Sequence, residues 1–139
     1  MKAQDGAEYK YYMVATDANT TNNYNNTGLH TWGSNDLITW DELANPQFAT
    51  DKGGGSKTIT NMCWAPEAIW DPVEGKYMVY FATNEADSAA NESAKIYYSY
   101  TADFRTFSEK KVLFDPGYGV IDADITPVSY THLTLPTIR

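Results

Sequence analysis

Apolar residues in this chain come in short runs separated by turn formers. Tyr9-Lys10-Tyr11-Tyr12-Met13-Val14-Ala15-Thr16 follows the turn signal Asp5-Gly6 and has no helical period, so it predicts a strand covered on both faces. Asp17 to Gly28, rich in Asn and Thr, reads as a loop, and Leu29 to Gly33 as a second short strand. Ser34 to Trp40 places turn-forming residues ahead of a hydrophobic end. Ala44 to Thr60, with Gly53-Gly54-Gly55-Ser56, predicts an exposed, flexible connection. Cys63-Trp64-Ala65-Pro66-Glu67-Ala68-Ile69-Trp70-Asp71-Pro72 then sets one carboxylate and a proline inside an apolar run. A buried carboxylate must be paired or neutralised, and proline cannot donate to a ladder, so this run predicts an edge strand facing something polar.

The second half repeats the first. A shift of 67 carries Ala15-Thr16 onto Ala82-Thr83, Leu29 onto Ile96, Asp36 onto Asp103 and Trp40 onto Phe107. Asp71-Pro72-Val73-Glu74-Gly75 likewise repeats the turn at Asp5-Gly6. A recurring unit of short antiparallel strands predicts an all-β chain of propeller blades, each a four-stranded sheet. The repeat divides the chain into an incomplete first blade (1–60), a second blade (61–118) and the start of a third (119–127). It places the counterpart of the Trp64–Asp71 strand almost entirely before Met1, reads Lys111 to Phe114 as the outer strand of the second blade, and reads Gly119 to Ile125 as the opening strand of a third. A blade buries its faces only against neighbours, so residues 1–127 alone are expected to aggregate or stay molten.

A net charge of −8 leaves nothing basic to hold nucleic acid or an anionic membrane. Aromatic residues make up 14% of the chain, with eleven Tyr and four Trp, a surplus that suits a sugar-binding surface as well as dense β-structure. The lone Cys63 rules out an internal disulfide framework. Met1 to Gly6 carries neither a signal peptide nor a membrane span, and the compartment stays open, with secretion or a periplasmic setting compatible with a longer parent. Sequons at Asn19, Asn25 and Asn91 read as chance in an Asn-rich sequence.

With the repeat, Trp64-Ala65-Pro66-Glu67 and Val120-Ile121-Asp122 in place, the chain resembles glycoside hydrolase family 43, five-bladed propeller enzymes that cleave α-L-arabinofuranosides and β-D-xylosides. The likeness covers nearly all of residues 5–126. It implies an inverting glycosidase in which one carboxylate activates water and a carboxylic acid protonates the leaving oxygen. It also implies arabinan, arabinoxylan or xylan, as oligo- or polysaccharide, for substrate. A third family carboxylate, which raises the pKa of the acid, sits in an Ile-Asp motif matched by Ile121-Asp122, with Asp124 as the substitute if the register is off by one inward position. The resemblance puts the general base before Met1 and the general acid beyond residue 127, so this chain alone is expected to be catalytically silent. No cofactor is required. Some family members hold calcium in the channel, whereas this sequence does not display the ligands.

Bland alternatives stand beside these roles. Asp122 could cap a turn after Gly119, and Asp122 with Asp124 forms an Asp-x-Asp pair that lacks the His or further acid a metal site needs. Glu67 either enters a structural ion pair or hydrogen-bonds sugar hydroxyls. Trp64 is read as channel-facing and substrate-binding, Trp70 as packing and His30 as structural. A non-catalytic carbohydrate-binding or scaffold propeller competes with the enzyme. The tail from Val128 to Arg139 resembles a translated transposon-end adapter from short-read sequencing libraries, and is read as non-native.

Overall fold

The computed structural model describes residues 1–18, 26–49, 62–84 and 94–126. Among these every regular element is a strand: β1 (Tyr11–Thr16), β2 (Leu29–Ser34), β3 (Asp41–Ala44), β4 (Cys63–Asp71), β5 (Lys76–Thr83), β6 (Lys95–Thr101) and β7 (Lys111–Phe114). They form two antiparallel sheets, ordered β1-β2-β3 and β4-β5-β6-β7. The described residues are therefore all-β, two antiparallel sheets consistent with a propeller fragment. Met1 to Ala3 lie alongside β1, where Tyr12 N–H donates to Met1 O at 3.0 Å and Ala3 N–H to Lys10 O at 2.8 Å. The Gly53–Ser56 stretch, the sequon asparagines 19, 25 and 91 and the tail 128–139 lie outside the described residues.

β5 shows why this sequence makes a central strand. Tyr77, Val79 and Phe81 point to one face and Tyr80 and Ala82 to the other, and all five are buried. The first face packs on Tyr12 and Leu29 of the first sheet, joined by Cys63, Tyr97 and Phe104. The second packs with Met62, Ala94 and Ile96, and Val120, Ala123 and Ile125 lie against it. Each large side chain taken from water here contributes about 1.5–3 kcal/mol before chain entropy is charged.

One turn is built twice. In the first sheet Ser34 Oγ accepts from Leu37 N–H at 2.9 Å, and Asp36 Oδ1 accepts from Ile38 and Thr39 N–H, both at 2.8 Å. In the second, Thr101 Oγ1 accepts from Phe104 N–H, and Asp103 Oδ1 from Arg105 and Thr106 N–H, all at 2.9 Å. These are the Asp36 and Asp103 landmarks of the repeat. The sheets are also tied to each other, because Thr31 Oγ1 donates to Phe104 O at 2.7 Å and Tyr77 Oη accepts from Gln4 N–H at 2.8 Å.

Three expectations change. Thr16 pairs with Leu29 while Ala82 pairs with Ile96, so β1 maps onto β5 at an offset of 66 although β2 maps onto β6 at 67. A one-residue slip exchanges the faces of a strand, so this offset decides which residues of β1 match the buried ones of β5. β1 itself is covered on one face rather than two, with Tyr12 buried and Met13 38% exposed. Gly119 to Thr126 forms no strand, since among the described residues no neighbour offers it a ladder. β3 went unread in the hydrophobic pattern because its first two residues, Asp41 and Glu42, are exposed acids.

Candidate functional site

β4 is the edge strand of its sheet, and its start is pinned to the first sheet. Cys63 N–H donates to Asn26 Oδ1 at 3.1 Å, and Cys63 O accepts from Thr16 Oγ1 at 2.7 Å. Burial pushes the Cys63 thiol pKa far up, which leaves it an inert packing group.

Directly after this anchor the ladder breaks step. Trp64 pairs with Ala82 and Glu67 with Tyr80, so Ala65 and Pro66 together stand opposite Phe81 alone. This is a β-bulge, and it explains the proline, which sits where no ladder bond is lost. Ala65 holds φ of 46°, left-handed backbone that a non-glycine residue adopts at a cost. By simple alternation Trp64 and Glu67 would face opposite ways. The bulge turns both toward the face against which Val120, Ala123 and Ile125 pack.

There Glu67 Oε2 accepts a hydrogen bond from Tyr80 Oη at 2.8 Å, and the same Tyr80 oxygen accepts from Ile125 N–H at 3.1 Å. Burial first, then the Glu67 hydrogen bond, pushes the Tyr80 pKa up to about 12. Tyr80 therefore stays protonated at neutral pH and remains the donor to Glu67. Among the described residues Glu67 takes its hydrogen bond from this hydroxyl.

Glu67 is exposed and lines a cleft of about 430 Å³ together with Met13, Val14, Trp40, Pro66 and Ala68. Asp122 and Asp124 are also exposed, and Asp122 holds φ of 57°. Asp124 lies near enough to Tyr80 to add to the upward push on its pKa. Trp64 is half-buried and packs against the same buried cluster as Val120, Ala123 and Ile125. Trp70 packs edge-on to Tyr77 at 5.0 Å. His30 bonds Glu42 at 3.0 Å and stacks on Trp32, away from this cluster. A larger depression of about 530 Å³ lies at the outer strands between Phe48 and Phe107 and contains none of the candidate carboxylates.

The sequence brought forward Trp64, Glu67, Asp122 and Asp124 but not Tyr80. Nothing in the pattern of β5 marks it, because its pairing with Glu67 depends on the bulge.

A family model described as "Probable glycosyl hydrolase domain", of the group related to glycoside hydrolase family 43, matches residues 1–134. The chain belongs to this family. Among curated proteins it is similar to an alpha-L-arabinofuranosidase of Bifidobacterium longum subsp. longum, with 29% identity over 142 residues covering 86% of this chain. The chain spans 13% of that relative's length. No solved structure matches.

As a family 43-related glycosyl hydrolase domain, the chain presents an exposed carboxylate and an indole on one strand, with two further carboxylates on the segment packed beside it. Among the described residues no three His, Cys, Asp or Glu side chains come together.

Proposed function

We propose that the chain is part of an inverting glycoside hydrolase acting on α-L-arabinofuranosyl or β-D-xylosyl linkages of plant polysaccharides. The observation that carries this reading is the bulge at Ala65-Pro66, which turns Trp64 and Glu67 to one face beside the segment bearing Asp122 and Asp124. In this proposal Trp64 offers its ring to a sugar face and Glu67 accepts from sugar hydroxyls. Asp122, or Asp124 if the register differs by one inward position, raises the pKa of the general acid through like-charge proximity. The base and the acid are assigned outside residues 1–127. Family membership and the similarity to an arabinofuranosidase support the substrate class.

Aryl α-L-arabinofuranoside and aryl β-D-xyloside, offered to the complete gene product and to the 139-residue chain, test the proposal. The complete product should release the aryl group and the chain alone should not. Asp122→Asn should lower kcat roughly 100-fold, on the scale of acid–base catalysis, while Glu67→Ala should chiefly raise KM. Saccharide binding by the complete product without turnover would select the non-catalytic carbohydrate-binding reading. Aryl release by the 139-residue chain would overturn the assignment of base and acid.

A further inference from the structure

Tyr80 is wholly buried in the middle of β5, yet its hydroxyl joins β4 to the segment that follows β7. A phenylalanine would fill the same apolar space with Met62, Ala82 and Ile96 without a hydroxyl to satisfy. The hydroxyl's use therefore lies in what it holds. Residues 119–126 enter no ladder, and among the described residues their backbone is anchored at two points. Val120 N–H donates to Ala94 O at 2.9 Å, and Ile125 N–H donates to Tyr80 Oη at 3.1 Å. Asp122 and Asp124 lie between these anchors, with left-handed backbone at Asp122.

We propose that Tyr80 is a positioning residue whose hydroxyl, anchored by Glu67, fixes the backbone of Ile125 and so holds the Asp122–Asp124 loop against β4. Without the hydroxyl the loop keeps its apolar contacts and its Val120 anchor but loses its fixed end. The consequence for turnover rests on the glycosidase reading, whereas the anchor itself does not.

Hydrogen exchange on the complete gene product tests the anchor. Tyr80→Phe should speed exchange at the Ile125 amide about tenfold, the size of one hydrogen bond, and leave the β5–β6 ladder amides unchanged. Glu67→Gln retains an acceptor for the Tyr80 hydroxyl and should keep Ile125 slow, while Glu67→Ala should speed it. Glu67 is exposed, so the Ala variant carries the test if Tyr80→Phe does not fold. In the complete gene product Tyr80→Phe should lower kcat on an aryl glycoside about tenfold with KM within about twofold. An Ile125 amide at wild-type rate in both Tyr80→Phe and Glu67→Ala overturns the assignment. A fast Ile125 amide with unchanged kcat overturns the positioning role. A wild-type gene product without turnover overturns the glycosidase reading instead, and exchange then decides the anchor by itself.

Discussion

Leu37 and Phe104 occupy the same place in the twice-built turn, both with left-handed backbone at φ of 65° and 56°. Their surroundings give opposite predictions for one substitution. Leu37 is 55% exposed, so it contributes little packing to offset its backbone strain. Leu37→Asn, which tolerates this conformation, should stabilise the chain by about 0.5–1 kcal/mol. Phe104 is fully buried, stacked on Tyr12 with ring centroids 4.4 Å apart. Phe104→Asn should cost roughly 3–5 kcal/mol, because the lost ring outweighs the relieved backbone. Urea unfolding of both variants checks the sign of each. Tyr80 supplies a pH prediction. Its folded pKa, about 12, lies above the free tyrosine value, so the stability it contributes is complete below about pH 10 and lost as pH rises toward 12. Thermal unfolding between pH 9 and 12 should therefore fall less steeply in Tyr80→Phe than in the wild type. Equal slopes would show that Tyr80 does not couple to folding.

The bulge in β4 is where element and chemistry meet. Ala65→Gly should change stability by less than about 1 kcal/mol, since relief of the positive φ opposes the added chain entropy. Ala65→Val should destabilise by roughly 1–3 kcal/mol, because a β-branched residue resists left-handed backbone. Urea midpoints read the pair, and a Val variant as stable as wild type would mean that the bulge is easily remodelled. Much of this element was legible in the sequence. The proline within an apolar run announced an edge strand, and β4 is one. Trp70, beside the turn, packs as its position suggested. The bulge was not legible, because period-two alternation assumes an unbroken ladder, and so neither the shared face of Trp64 and Glu67 nor the partnership of Tyr80 could be foreseen. The repeat offset failed for a related reason: matching letters such as Ala15-Thr16 and Ala82-Thr83 say nothing about hydrogen-bond register, which separates them by one residue. Gly119 to Ile125 has the composition of a strand, but composition cannot supply the neighbour a strand needs.

At the scale of the whole molecule, the two sheets bury the same face unequally. In the second sheet Tyr77, Val79, Phe81, Tyr97 and Ser99 are buried. At the observed offsets their counterparts in the first sheet are Tyr11, Met13, Ala15, His30 and Trp32, and all five are half-buried or exposed. A face that is covered in one copy of a repeat and open in the other is an apolar surface seeking a sheet. The 139-residue chain should therefore associate with itself, with sedimentation coefficients that rise with concentration and a broad thermal transition. Met13→Lys places a charge on the open face and should shift sedimentation toward the monomer. In the complete gene product the expectation reverses: if a further sheet covers this face, the same lysine is taken out of water and should lower the thermal midpoint. A 139-residue wild type that stays monomeric at every concentration and melts sharply would refute the open-face argument. A Met13→Lys gene product as stable as its parent would show that no sheet covers the face there.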